Sequence, residues 1–149
     1  GKDMARIAMA HEIPYVATAT VADLSDLEYK VNKAMGYHGA RYIHVLVPCP
    51  LGWGSASNVT IKLARLATQS GLFPVFEAVD GEVTAVTKIR RPVAVEESLR
   101  PQRRFAHLFK KGADTGVLDR LQAMADKNIR RYGLIDAEGL DPFVKHEED

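Results

Sequence analysis

The chain has one cysteine, Cys49, in 149 residues. That scarcity excludes an intrachain disulfide and any four-cysteine metal site built from this chain alone. It also makes a reducing compartment, the cytoplasm, the default expectation. No apolar run approaches the roughly 18 residues of a membrane span, and no charged-then-apolar leader opens the sequence. Net charge is nearly absent: 20 Lys and Arg stand against 19 Asp and Glu. No global field therefore recruits nucleic acid or an acidic membrane. Internal repeats and low-complexity segments are missing too. What remains is an ordinary globular composition, 46% hydrophobic, long enough for one domain that buries roughly 70% of its unfolded surface. The opening Gly1-Lys2-Asp3-Met4 lacks a start methionine and runs straight into a helix-like pattern, as expected of a chain that begins inside a larger gene product.

The first 75 residues alternate helical and strand-like patterns. Met4 to His11 reads as the end of a helix with Met4, Ile7 and Ala8 on one face, and Pro14 to Ala19 reads as a buried strand. Ser25-Asp26-Leu27-Glu28 has capping-box spacing and opens a helix carrying Leu27, Val31 and Ala34 to a stop at Gly36. Arg41 to Val47 is the strongest strand pattern in the sequence. A Pro/Gly/Trp loop follows, Pro48 to Gly54, and then a helix from about Ser57 to Gly71 carrying Ile61, Leu63, Ala64, Leu66 and Ala67. This order predicts α/β architecture with parallel strands. Asp80-Gly81 between two apolar runs predicts a tight hairpin, hence an antiparallel edge. Short helices around Pro101 and a longer one from Gly116, with Leu118, Leu121, Ala125, Ile129 and Tyr132 in register, complete the chain. The acidic end, His146 to Asp149, reads as frayed.

Chemistry is expected where strands end and loops turn back, and there Cys49 stands between Pro48 and Pro50. Three uses of the thiol fit this placement: a nucleophile activated by a neighbouring helix N-terminus, a metal or cluster ligand completed from outside the chain, or a small core hydrophobe. Gly52 and Gly54 match neither the P-loop nor the dinucleotide fingerprint and read as close-packing positions. His11, His38, His44, His107 and His146 show no i, i+4 ligand spacing and read as structural or solvated. His44 lies an odd number of residues from Cys49, on the opposite strand face. Residues 88–111 hold eight basic and two acidic side chains, a net +6 against −5 for the rest of the chain. That stretch reads as a solvated face, a subunit contact or a polyanion site.

Four segments, in order, resemble a known family. They are Lys2-Asp3-Met4-Ala5 with Ile13 to Ala19, His44 to Trp53, Gly71 to Glu77, and Pro92 to Leu99 with Gln102-Arg103-Arg104-Phe105. Together they are similar to the later part of beta subunits of 2-oxoacid:acceptor oxidoreductases of the pyruvate:ferredoxin oxidoreductase type. Ala94 and Val95 alter the spacing of the last motif, and Arg103 stands where the family has glycine. The resemblance implies part of a thiamine-diphosphate-binding α/β fold: residues 1–90 in a mostly parallel sheet with an antiparallel hairpin at its edge, and residues 91–149 as a helical C-terminal extension. It implies CoA-dependent oxidative decarboxylation of a 2-oxoacid, pyruvate or a relative, with electrons passing through [4Fe-4S] clusters. Cys49 would be one cluster ligand, its sulfur receiving hydrogen bonds from amides of Gly52 to Ser55 in a dry loop. Ligands for thiamine diphosphate and Mg2+ would lie upstream of Lys2. Partners would be the other subunits, coenzyme A, and ferredoxin or a flavin/NAD subunit. The alternative is a non-catalytic nucleotide- or partner-binding α/β module.

Overall fold

The computed structural model describes residues 2–136; the expected acidic tail lies outside them. The architecture is built around one strand. β1 (Tyr15–Thr20) is buried at all six positions, as a strand covered on both faces must be. It pairs in parallel with β2 (Arg41–Leu46), Tyr15 opposite Arg41 through Thr20 opposite Leu46. On its other side it pairs antiparallel with β3 (Phe76–Val79), which turns through Asp80-Gly81 into β4 (Glu82–Val86). The sheet order is β2-β1-β3-β4. Among the described residues parallel pairing is thus confined to β1 and β2, and the hairpin supplies the other two strands. Asp80 and Gly81 both have positive φ, 47° and 83°, as a two-residue turn matched to strand twist requires.

Alternation along β1 assigns the layers. Val16 faces α1 (Met4–Ala10) with Ala5, Ala8, Phe76 and Ala78, while Tyr15 and Ala17 face α2 (Leu24–Met35) through Ala34. Two expectations about these helices change. α1 begins at a cap, the Asp3 carboxylate accepting from the Arg6 amide at 3.1 Å, and it presents Ala5 and Ala8 to the sheet, leaving Met4 and Ile7 exposed. Small residues let this short helix lie close on the strands. α2 is capped by Asp23, which accepts from Asp26 N–H at 3.0 Å, and not by Ser25. The reason is the exit from β1: the Asp23 amide bonds Thr20 O and the Ala22 amide bonds Thr20 Oγ1, which starts the helix two residues early.

α2 also buries a residue no hydrophobic pattern would select. Lys30 is 2% exposed, where Val31 is solvent-facing. Its ammonium donates to Thr18 O at 2.9 Å and to Asp26 Oδ2 at 2.7 Å, which offsets the cost of removing the charge from water. One turn on, Lys33 meets buried Glu77 at 2.7 Å, and the Tyr15 hydroxyl donates to the same carboxylate oxygen at 2.8 Å. Burial alone would raise the Glu77 pKa, but Lys33 and Tyr15 together hold it below its ordinary value.

The chain then continues through a short α3 (Pro50–Trp53), a 3-10 turn (Ser57–Val59) and α4 (Thr60–Gln69). α4 buries Leu63, Ala64 and Ala67 and leaves Ile61 outside. α5 (Val95–Leu99), a 3-10 segment (Arg103–Phe109) and α6 (Gly116–Tyr132) enclose a separate cluster of Val95, Leu99, Leu108 and Ala125. α6 is anchored to the sheet by Tyr132, which stacks on Phe76 with ring centres 4.7 Å apart, and to the turn after α4 by Asn128 Nδ2, which donates to Gly71 O at 2.9 Å.

Gly71 has φ +75°, and a Cβ there would sit 2.7 Å from Ile129 Cγ1 and 3.0 Å from the Ala125 carbonyl. Gly71→Ala is therefore expected to cost about 2–4 kcal/mol through backbone strain and overpacking, read as a lower urea midpoint at unchanged slope. The depressed Glu77 pKa gives stability that is present above the unfolded value near 4.5 and lost as pH falls through the lower folded value. Glu77→Gln is expected to flatten this acid limb while lowering neutral-pH stability by about 1–3 kcal/mol. Urea titrations of both proteins from about pH 3 to 7 check it.

Candidate functional site: the Cys49 turn

β2 ends at Leu46, and the chain passes exposed Val47 and buried Pro48 to reach Cys49. Cys49 is extended, φ −98° and ψ 110°, and occupies the N-cap of α3. Pro50 at the first helical position is pre-set for that turn, since its φ is already helical and its missing N–H would have no intrahelical partner. The turn closes on itself. The Cys49 carbonyl accepts from the Trp53 amide at 2.9 Å, and Pro50 O accepts from the amides of Gly54 and, at 3.0 Å, Ser55. Gly54 takes the left-handed conformation, φ 65°, that ends the turn.

The thiol is exposed. Within this chain the thiol is not packed as core, and its setting differs from the dry loop expected, with neighbouring Leu51 at 96% exposure. One amide is directed at it, Gly52 N–H to Sγ at 3.4 Å. The amides of Trp53, Gly54 and Ser55, also expected to serve the sulfur, end on backbone carbonyls instead. The Ser55 hydroxyl is buried with no hydrogen-bond partner among the described residues. Among those residues no three His, Cys, Asp or Glu side chains gather as a metal site. His44 is packed edge-on against Phe73 at 5.5 Å between ring centres, which fits its structural reading.

The turn is held from a distant part of the chain that sequence reasoning did not connect to it. The Arg104 guanidinium lies 4.0 Å from the Trp53 ring centre and 4.7 Å from that of Phe105. Partial burial against these rings lowers its pKa from the ordinary arginine value. Arg104 Nε donates to Gln102 Oε1 at 2.9 Å, and buried Gln102 donates in turn to Ser98 O at 2.6 Å. The Arg103 amide reaches Gly54 O at 3.4 Å. Its side chain lies so close that a Cβ on Gly54 would meet Arg103 Cβ at 2.8 Å.

The rest of the basic stretch is divided among separate tasks. Arg100 pairs with Glu96 and stacks on Phe109, while Lys88 bonds Gly133 O and Asp136. Lys88 and Arg90 also line a cleft of about 220 Å³ at the end of β1, with Thr20, Asp23, Arg65 and Gln69. The cleft mixes both signs of charge. No described helix is long and apolar enough to cross a membrane.

A buried central strand flanked by helices, with one exposed thiol on a braced turn at a strand end, defines the class: an α/β chain with a free cysteine at a strand end. The chain is 42% identical over 133 residues to pyruvate synthase subunit PorB of Methanosarcina barkeri, an alignment covering 89% of this chain and 45% of that protein. It is 38% identical over 133 residues to the subunit of the same name from Methanocaldococcus jannaschii, covering 89% and 43%. To ketoisovalerate oxidoreductase subunit VorB of Pyrococcus furiosus it is 36% identical over 116 residues, covering 76% and 37%. Over most of its length the chain is thus similar to subunits of these 2-oxoacid oxidoreductases, and it spans less than half the length of these curated relatives. No family model matches it. The relatives' names do not favour the binding-module alternative.

Gly54→Ala is expected to destabilise the turn by about 1–3 kcal/mol, from an unfavourable φ and the clash with Arg103. The check is faster backbone hydrogen exchange over residues 49–55 in the variant.

Proposed function

We propose that this chain is part of the beta subunit of a complex that oxidatively decarboxylates a short 2-oxoacid. In that reaction the acid and coenzyme A give acyl-CoA and carbon dioxide, and two electrons leave one at a time toward ferredoxin or a flavin/NAD subunit. Pyruvate and ketoisovalerate, the acids in the relatives' names, mark the substrate class. The observation that carries the reading is Cys49: an exposed thiol at a strand end, its sulfur accepting one amide hydrogen bond, on a turn closed at both ends.

Those features suit a cluster ligand. The donor is a soft sulfur, deprotonated when bound, and an N–H···S bond stabilises negative charge on it. A [4Fe-4S] cluster supplies one-electron transfer when bound. Cys49 would provide one of its ligands, and the others would come from residues outside this chain, because the described residues offer no further cluster of donors. Gly52 holds the sulfur, Pro48 and Pro50 fix the backbone on either side, and Trp53 caps the turn. By the family resemblance, the ligands of Mg2+ and thiamine diphosphate would lie upstream of Lys2. The unpaired, exposed thiol suits a cytoplasmic, reducing setting.

The test is an anaerobic iron and acid-labile sulfide count with low-temperature EPR on the complex containing this chain, comparing wild type with Cys49→Ala. Loss or conversion of one four-iron cluster is expected. Unchanged iron, sulfide and spectra would overturn the reading.

A further inference from the structure

The segment Gln102-Arg103-Arg104-Phe105 has no role in the function just described, yet it is where the Cys49 turn meets the helical part of the chain. Its contacts form a connected series. Ser98 O holds the Gln102 amide group, Gln102 Oε1 holds Arg104 Nε, and the Arg104 guanidinium is stacked on Trp53 and Phe105. Trp53 in turn donates its backbone N–H to the carbonyl of Cys49. One residue away, Arg103 is packed against Gly54 with no room for a methyl group. A planar cation is thereby fixed against the ring that closes the sulfur-bearing turn, although Arg104 and Trp53 are 51 residues apart in sequence.

We propose that Arg104 is a positioning residue for the Cys49 turn, acting through Trp53, and that its charge favours the reduced state of a cluster held there. The proposal rests on the reading of Cys49 as a cluster ligand. Two physical effects are separable. Stacking of a guanidinium on an indole stabilises the closed turn, and a lysine lacks the planar face that makes this contact. A fixed positive charge beside a redox centre stabilises the state carrying one more electron and so raises the reduction potential; either arginine or lysine supplies it. Gln102 directs the guanidinium by occupying its Nε, so the planar face stays turned toward the rings.

The experiment uses the whole complex and four variants in this chain: Arg104→Gln, Arg104→Lys, Trp53→Leu and Cys49→Ala. Backbone hydrogen exchange over residues 49–55 reads the turn without reference to any cluster, and an EPR-monitored redox titration reads the clusters one by one. Arg104→Gln is expected to speed exchange of this segment about tenfold and to move one cluster, and no other, to a more negative potential. Arg104→Lys is expected to return that potential toward wild type while exchange stays fast. Trp53→Leu removes the same stack from the other side and is expected to speed exchange equally, which keeps the proposal open to test if Arg104→Gln does not assemble. Wild-type exchange in the Arg104 or Trp53 variants, or wild-type potentials in Arg104→Gln, overturns the proposal; where Cys49→Ala still loses a cluster, the ligand reading survives that result. Full cluster content in Cys49→Ala overturns both.

Discussion

The structure depends on the complete burial of β1. Once a strand is covered on both faces, every polar group on it needs a partner inside the protein, and Thr18 shows how that need organises its neighbours. Its hydroxyl donates to Pro74 O at 2.8 Å and accepts from the Phe76 amide at 2.9 Å, while its carbonyl accepts from Lys30. The first pair ties down the entry to β3, and the last ties down α2. Backbone pairing between β1 and β3 extends only from Tyr15 to Ala17. Beyond that point the Thr18 side chain takes over the amide of Phe76, and the hairpin can leave the sheet axis without orphaning a donor.

The charges beneath the sheet follow from the same burial. Glu77 lies on a strand next to β1 with its side chain enclosed, and an isolated carboxylate there would be neutral or destabilising. Lys33 and the Tyr15 hydroxyl both converge on it. Burial and the neighbouring carboxylate raise the Tyr15 pKa, so the phenol remains a donor. The Tyr15 ring is meanwhile stacked on Tyr37 at 5.0 Å. A single side chain thus joins the apolar layer to the ionic one, and α2 cannot slide along β1 without breaking both.

Much of this was legible in the sequence, for reasons that also explain the rest. Strand and helix identity came through wherever periodicity ran unbroken, as in Arg41 to Leu46 and in the face of α6. Asp80-Gly81 announced its own turn, because few residue pairs accept two positive φ values. Lys30 was illegible, since a lysine at a helix position next to Val31 reads as solvent-facing until the Thr18 carbonyl is seen above it. Among the described residues the strongest strand pattern is the outer strand β2, and the quieter alanine- and threonine-rich Pro14 to Thr20 is central. Small residues carry little hydrophobic signal, yet they are what allow helices to approach from both sides.

At the candidate site, the position of Cys49 was legible and its support was not. Proline, cysteine and proline after a strand mark a fixed point in the backbone, and the resemblance to a family attached a chemistry to it. The brace on that point comes from Gln102 to Phe105, and a long-range contact between a cation and an indole leaves no periodic trace. Arg103 illustrates the difficulty: in sequence it is only a departure from the family pattern. In three dimensions its backbone amide bonds Gly54 O and its side chain fills the space beside that glycine. The larger residue on one segment is therefore matched to the absence of a side chain on the other. Two motifs that are separate in sequence act as one surface, and the thiol is presented from a turn whose position is set by the helical part of the chain as much as by the sheet that precedes it.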